Sequence, residues 1–155
     1  METDSKFVIT IRRQLGSGGA TIGKALADKL GIFYADSFLI TEAAKKLRIN
    51  ENELKSREEK ALFWRRFLET YSSSYESYLP NQIGPVDRDI FDAQTEIILE
   101  IAKEKSSVII GRCSNFILKD FPNHYSIFLH ADDKFRISRL MEVYKVTEDE
   151  ARKMM

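Results

Sequence analysis

Three glycines close together suggest the first chemistry. The run Gln14-Leu15-Gly16-Ser17-Gly18-Gly19 follows the apolar, β-branched stretch Phe7-Val8-Ile9-Thr10-Ile11 and precedes a helical pattern. A glycine-rich turn between a buried strand and a helix can hold a phosphate. Glycine lets the backbone wrap the anion, and the helix N-terminus adds N–H donors and dipole charge. Tight turns also use glycine for steric reasons alone, but the place directly after the first strand favours the phosphate reading. The phosphate-loop pattern G-x-x-x-x-G-K-[ST] nearly fits in two registers. Gly18 to Ala25 reads G-G-A-T-I-G-K-A and lacks only the last hydroxyl, yet it runs the loop into the helical pattern. Arg13 to Ala20 reads R-Q-L-G-S-G-G-A, begins where the strand ends and puts Gly18 and Gly19 at the turn. The second register is preferred. It places Gly19 where the phosphate lysine belongs and leaves Lys24 on the helix surface, pointing away from the loop mouth.

The elements that must position this loop follow from periodicity. Ile22, Ala25, Leu26 and Leu30 recur at helical spacing, and Gly31 stops that helix. Ile32-Phe33-Tyr34 reads as a second strand, after which Asp36-Ser37 caps a helix through Leu39, Ala43, Ala44 and Leu47. The middle is helical, with Leu62, Phe63, Phe67, Leu68 and Tyr71 on one face, and residues 72–86 read as an irregular connection. A long helix with Ile90, Ala93, Ile97, Ile98 and Ile101 inward leads to strands at Ser107–Gly111 and Tyr125–Leu129. A short helix at Asn115–Lys119 separates those strands. Phe135, Ile137, Leu140, Met141 and Tyr144 mark another helix, and Thr147 with Glu150 starts a last one. Strands alternating with helices predict an α/β fold: a parallel sheet of about four strands with helices on both faces.

Composition narrows the function. In 155 residues, Lys+Arg and Asp+Glu both number 24, which argues against a general nucleic-acid binder. The single cysteine, Cys113, permits no intrachain disulfide and suits a reducing compartment. No apolar stretch approaches the roughly 18 residues of a membrane helix, and the acidic Met1-Glu2-Thr3-Asp4-Ser5 start is wrong for a signal peptide. A cytoplasmic protein without nucleic-acid or membrane partners is expected.

These residues resemble a known family. Ile9 to Gly19 with Ile22-Gly23-Lys24 is similar to the opening of the cytidylate kinase-like proteins, a branch of the P-loop nucleoside monophosphate kinases. Gln94-Thr95-Glu96-Ile97-Ile98, Val108-Ile109-Ile110-Gly111-Arg112-Cys113, and Phe128-Leu129-His130-Ala131 with Arg136 and Arg139 match in the same order. The resemblance implies one P-loop-type domain over residues 1–155, strand order 2-3-1-4, and a helical insert at about 50–86 forming the monophosphate-binding region. It implies phosphoryl transfer from ATP, with Mg²⁺, to a nucleoside monophosphate such as CMP or dCMP. Gly16, Ser17, Gly18, Gly19, Ala20 and Thr21 correspond to the phosphate loop. Asp36 and Arg112 correspond to monophosphate-binding positions, and Arg136 and Arg139 to arginines at the base of the lid. Phosphoryl transfer needs cations around charge spread over oxygens, and Arg112 ends a buried strand where ligands of open α/β sheets bind.

Several positions depart from the family pattern. Ala20 stands where relatives carry arginine, Gln14 and Thr21 where they carry acids, and Asn115 where they carry aspartate. Arg13 is the cation best placed to replace what the loop lacks. Relatives also continue through a fifth strand and a final helix, so a C-terminally truncated form of the domain is expected. The competing readings are a non-catalytic nucleotide-binding or regulatory module and a helical interaction protein using Leu62 to Tyr78. A homodimer is left open. Cys113 is expected to pack against the sheet rather than act as a nucleophile, His130 to be structural, and Trp64 to sit in a core or interface.

Overall fold

The computed structural model describes residues 6–36, 39, 40, 43, 45 and 88–155. The expected middle helices, the insert at 50–86 and Trp64 lie outside the described residues. The elements are β1 (Val8–Arg13), α1 (Gly19–Leu30), β2 (Phe33–Ala35), α2 (Arg88–Glu104), β3 (Ser107–Ile110), α3 (Ser114–Ile117), β4 (His124–Leu129), α4 (Asp133–Tyr144) and α5 (Glu148–Met154). They form a four-stranded sheet ordered β2-β3-β1-β4, parallel at every pairing. Val8 faces Ser107 on one side and His124 on the other, and Tyr34 faces Val108. The expected topology is the observed one.

Side-chain alternation along the strands builds two cores. Val8 and Ile109 join Ala35, Ile97, Ile98, Ile101, Ala102 and Leu118 on the α2 face. Ile9, Ile11, Val108, Ile110 and Tyr34 join Ala27 on the α1 face. Central strands sealed on both faces must be apolar at every position, which explains the unbroken run in β1. Thr10 is the exception, fully buried, and its Oγ1 lies 2.7 Å from Nε2 of His124 on the neighbouring strand. At the edge, β4 is less covered, and Tyr125, Ile127 and Phe128 are exposed. A third cluster of Ile137, Leu140 and Ala151 joins α4 to α5. A capping box at Thr147 and Glu150 starts α5 as the sequence predicts.

The face that α1 buries differs from its apolar pattern. Gly19, Gly23 and Ala27 are buried, while Ile22 and Leu30 are exposed. The helix comes so close to the sheet that a Cβ on Gly23 would lie 2.3 Å from Ile110 Cδ1 and 3.3 Å from Tyr34 Cε2. At that separation only small residues fit beneath the helix, and the larger ones flank it. In α4, likewise, Ile137 and Leu140 are buried but Phe135 and Met141 are exposed. Cys113, expected against the sheet, is exposed, because the chain turns outward immediately after β3.

Two predictions follow from this packing. Replacing Gly23 with Val forces branched carbons into Ile110 and should lower unfolding free energy by about 1–3 kcal/mol in urea titrations. The second concerns pH. Burial lowers the His124 pKa below its ordinary 6.5, partly opposed by a hydrogen bond to the Leu118 backbone. The neutral ring is therefore favoured in the fold. Its contribution to stability is complete above pH 6.5 and is lost as pH falls from there towards the lower folded value. Urea midpoints measured through that window should fall more steeply for the parent than for His124→Asn.

Candidate phosphate-binding site

The sheet brings the sequence-predicted residues to one edge. The loop Gln14–Gly18 leaves the C-terminal end of β1. Asp36 follows β2, Arg112 follows β3, and His130 to Asp132 follow β4. In parallel sheets with covering helices, this edge is where ligands bind. α1 begins at Gly19, as the Arg13-to-Ala20 register requires.

The loop's hydrogen bonds leave its donors and acceptors segregated. Gln14 O accepts from Ser17 N at 3.2 Å and from Ser17 Oγ at 2.8 Å. Leu15 O accepts from Arg136 Nε at 2.8 Å, and Gly18 O accepts from Ile22 N at 3.0 Å. Gly18 caps α1 with no side-chain hydrogen bond, and the first turn contains no acid. The positive end of α1 is thus open to an anion. Gly16 and Gly18 both adopt φ +83°, a left-handed conformation that side chains resist. At Gly16 the constraint is also spatial: a Cβ there would lie 2.8 Å from the carbonyl oxygen of Arg136.

Cations gather around this opening. The Arg13 side chain crosses Gly19 so closely that a Cβ there would lie 2.1 Å from its Cδ. It occupies space that any side chain at the lysine position would need. Arg112 follows β3, the strand beside β1. Burial depresses its pKa first and the positive field of Arg13 second, with Cys113 acting the other way. Arginine nevertheless stays charged at any working pH, so two guanidinium groups are held within each other's field. The backbone presenting Arg112 is itself left-handed at three successive residues: Gly111 at φ 75°, Arg112 at 54° and Cys113 at 55°. Non-glycine residues in that region cost about 1–3 kcal/mol each and concentrate at functional sites. Arg139 Nη2 donates to Thr21 Oγ1 at 2.6 Å, and its Nε lies 3.6 Å from where a Gly18 Cβ would stand.

Other candidates have local partners. Arg136 is buried, donating to Leu15 O and, through Nη1, to Asp133 Oδ1 at 3.3 Å. Asp36 Oδ1 accepts from Leu39 N at 2.9 Å and so caps the helix that follows β2. Lys24 pairs with Asp28 along α1, consistent with a surface position. His130 is exposed and stacks on Phe128 with centroids 6.4 Å apart. Sequence reasoning missed Gln14, whose Oε1 accepts from Ala131 N at 3.3 Å and ties the loop to the start of α4. A glutamine in a loop carries no pattern that would have revealed this contact.

The donor set suits phosphate better than metal. Uncapped N–H groups and arginines match a polyphosphate. At the hydroxyl position that would ligate Mg²⁺ stands Ala20, while the Ser17 and Thr21 hydroxyls are engaged within the site. Among the described residues no group of three or more His, Cys, Asp or Glu is placed to hold a metal. The described residues therefore do not by themselves form a Mg²⁺ site.

Residues 8–155 match the model of the cytidylate kinase-like family. The chain belongs to that family. None of the curated proteins matches it. Among solved structures, an uncharacterized protein from Eubacterium ventriosum ATCC 27560 is 30% identical with a TM-score of 0.66, the match covering 97% of this chain and 69% of that one. Shikimate kinase from Bacteroides thetaiotaomicron is 17% identical with a TM-score of 0.51, over 97% of this chain and 75% of that one. TT1252 from Thermus thermophilus is 16% identical with a TM-score of 0.51, over 97% and 78%. The last two likenesses concern the fold. The family match makes this chain a nucleotide kinase-like module, and the two distant likenesses show its P-loop kinase-like fold.

A comparison of two glycines tests the loop geometry. Gly16→Ala and Gly31→Ala both place a side chain at positive φ, at about 1–2 kcal/mol. A Cβ on Gly31 meets nothing within 4 Å, whereas one on Gly16 meets the α4 backbone. Chemical denaturation should show the Gly16 variant to be the less stable of the two by a further 1 kcal/mol or so.

Proposed function

We propose that this site binds ATP phosphates in the glycine loop and transfers the γ-phosphoryl group to a nucleoside monophosphate, with CMP or dCMP as the favoured acceptor. The observation that carries the reading is an uncapped helix N-terminus with the Arg13 side chain packed across Gly19, at the sheet edge where Arg112 follows the neighbouring strand β3. Arg112 lies in the positive field of Arg13, and an anion bound near both would be favoured by it. The N–H groups of Gly16 and of Gly18 to Thr21 would hold the donor phosphates, with Arg13 taking the place of the absent lysine. Arg112 would hold the acceptor's phosphate, with Asp36 at the start of the monophosphate region. Arg139 would move from Thr21 onto the transferring group. An acceptor phosphate oxygen attacks the γ-phosphorus while the bond to the β-bridging oxygen breaks, releasing ADP and a nucleoside diphosphate. Mg²⁺, when it accompanies the nucleotide, supplies charge neutralisation on the phosphates. The residues here position the groups, exclude water and balance their charge.

Gly19 and Ala20 also favour a second reading, a nucleotide-binding module with little or no transfer. Losing one well-placed cation at a transfer site costs roughly a hundredfold or more in rate. Ground-state binding suffers less, because the amides and helix dipole remain. Detectable nucleotide binding with slow turnover is therefore the expected result of a coupled assay offering ATP with CMP, dCMP, UMP and AMP. Binding without turnover for any acceptor selects the second reading. Arg13→Ala should weaken ATP by roughly tenfold, about 1.4 kcal/mol, with a smaller effect on CMP, and Arg112→Ala should do the reverse. Titration calorimetry with each nucleotide alone separates the two. If both substitutions leave both affinities unchanged, the site lies elsewhere.

A further inference from the structure

Arg136 differs from the other arginines at this edge. It is only 8% exposed, whereas Arg139, one turn further on, is partly exposed. Its Nε–H is donated to the Leu15 carbonyl, and its Nη1 reaches Asp133, an acid on its own helix. A guanidinium this buried and paired with a carboxylate brings little net charge to a ligand. What it brings is geometry. A phosphate loop works only if its carbonyls are bonded elsewhere while its N–H groups face the anion. The Gln14 and Gly18 carbonyls are satisfied within the loop and α1, but Leu15 O depends on a side chain from α4, 121 residues away. The α4 backbone closes on the same spot, since a Cβ on Gly16 would meet Arg136 O at 2.8 Å and Arg136 Cα at 3.1 Å. Gln14 Oε1, accepting from Ala131 N, makes a second tie.

We infer that Arg136 is a positioning residue rather than a phosphate ligand: by holding the Leu15 carbonyl against α4, it fixes the N–H groups of Gly16 and Gly18 in their anion-binding arrangement, Ser17 N–H being donated to Gln14 O. This rests on the reading of the loop as a phosphate site. A planar guanidinium can donate along Nε and along Nη1 at once, and lysine keeps the charge without that fork. The two roles therefore separate under conservative substitution.

The test uses the intact chain with inorganic pyrophosphate as probe. Binding is measured by calorimetry at low and high salt, and loop amide exchange by NMR without ligand. Arg136→Lys should weaken pyrophosphate about tenfold, the ratio to the parent holding across salt because the net charge is unchanged. The same variant should speed exchange of the Gly16, Ser17 and Gly18 amides. Asp133→Asn, at a position whose side chain is 77% exposed, should fold normally and bind within about twofold of the parent, since the bond to Leu15 survives. An Arg136→Lys variant with parental affinity and parental exchange overturns the inference. So does tighter binding by Asp133→Asn, which would mean that the unmasked guanidinium acts as a charge on the ligand. A parent that binds no pyrophosphate removes the phosphate reading and the anion-arranging role together. Exchange indifferent to Arg136→Lys removes the positioning role alone.

Discussion

The close seat of α1 on the sheet is the constraint from which the site follows. Gly23 lies against Ile110 and Tyr34 with no room for a methyl group, and Gly19 and Ala27 continue the same small stripe. The seat fixes the start of α1 at the end of β1, so the loop between them must turn within a few residues. Left-handed glycines at Gly16 and Gly18 make the turn possible. Tyr34 adds a polar tie, its hydroxyl donating to Ala20 O at 3.2 Å. The opposite end of the helix is closed by a Schellman arrangement, Ile32 N to Ala27 O at 3.0 Å and Gly31 N to Asp28 O at 3.2 Å. Both ends of α1 are thus set by backbone geometry, and its open donors point where the sheet collects its ligand groups.

Local unfavourable terms accumulate around that opening. Arg112 is partly buried in the positive field of Arg13, Arg112 and Cys113 hold positive φ, and the first turn of α1 lacks a side-chain cap. Each would be relieved by a different, more stable local sequence. Their coincidence at one edge is the pattern expected where stability is traded for binding. The remainder of the fold offsets these terms with two sealed cores, one on each face of the sheet.

Much of this was legible in the residues. Continuous β-branched runs marked β1 and β3 to within a residue or two, because a strand buried on both faces is predominantly apolar, with Thr10 and Ser107 the buried exceptions. The end of the strand and the start of the helical period chose the loop register, and α1 begins at Gly19 accordingly. The buried face of α1 was not legible from hydrophobicity, because close packing selects for small size and exposes Ile22. Cys113 was misplaced for a related reason: three left-handed residues swing the chain out, and no composition signal announces such a turn. The Leu15 partner of Arg136 was also out of reach. A side chain bonding a backbone carbonyl on a distant loop leaves no spacing to read, since carbonyls are the same in every residue.

The register of the central strand has a consequence for how the protein is made. β1 is synthesised well before its partners, Ser107–Ile110 and His124–Leu129. At roughly 5–20 residues per second, a ribosome needs on the order of ten seconds to supply them. During that interval an apolar strand with both edges open has no sheet to enter, and unpaired strands of this kind invite association. Pairings so distant in sequence also slow folding after release, because loop closure must precede any gain from contact. The strand that anchors the site is thus the part of the nascent chain most dependent on shelter.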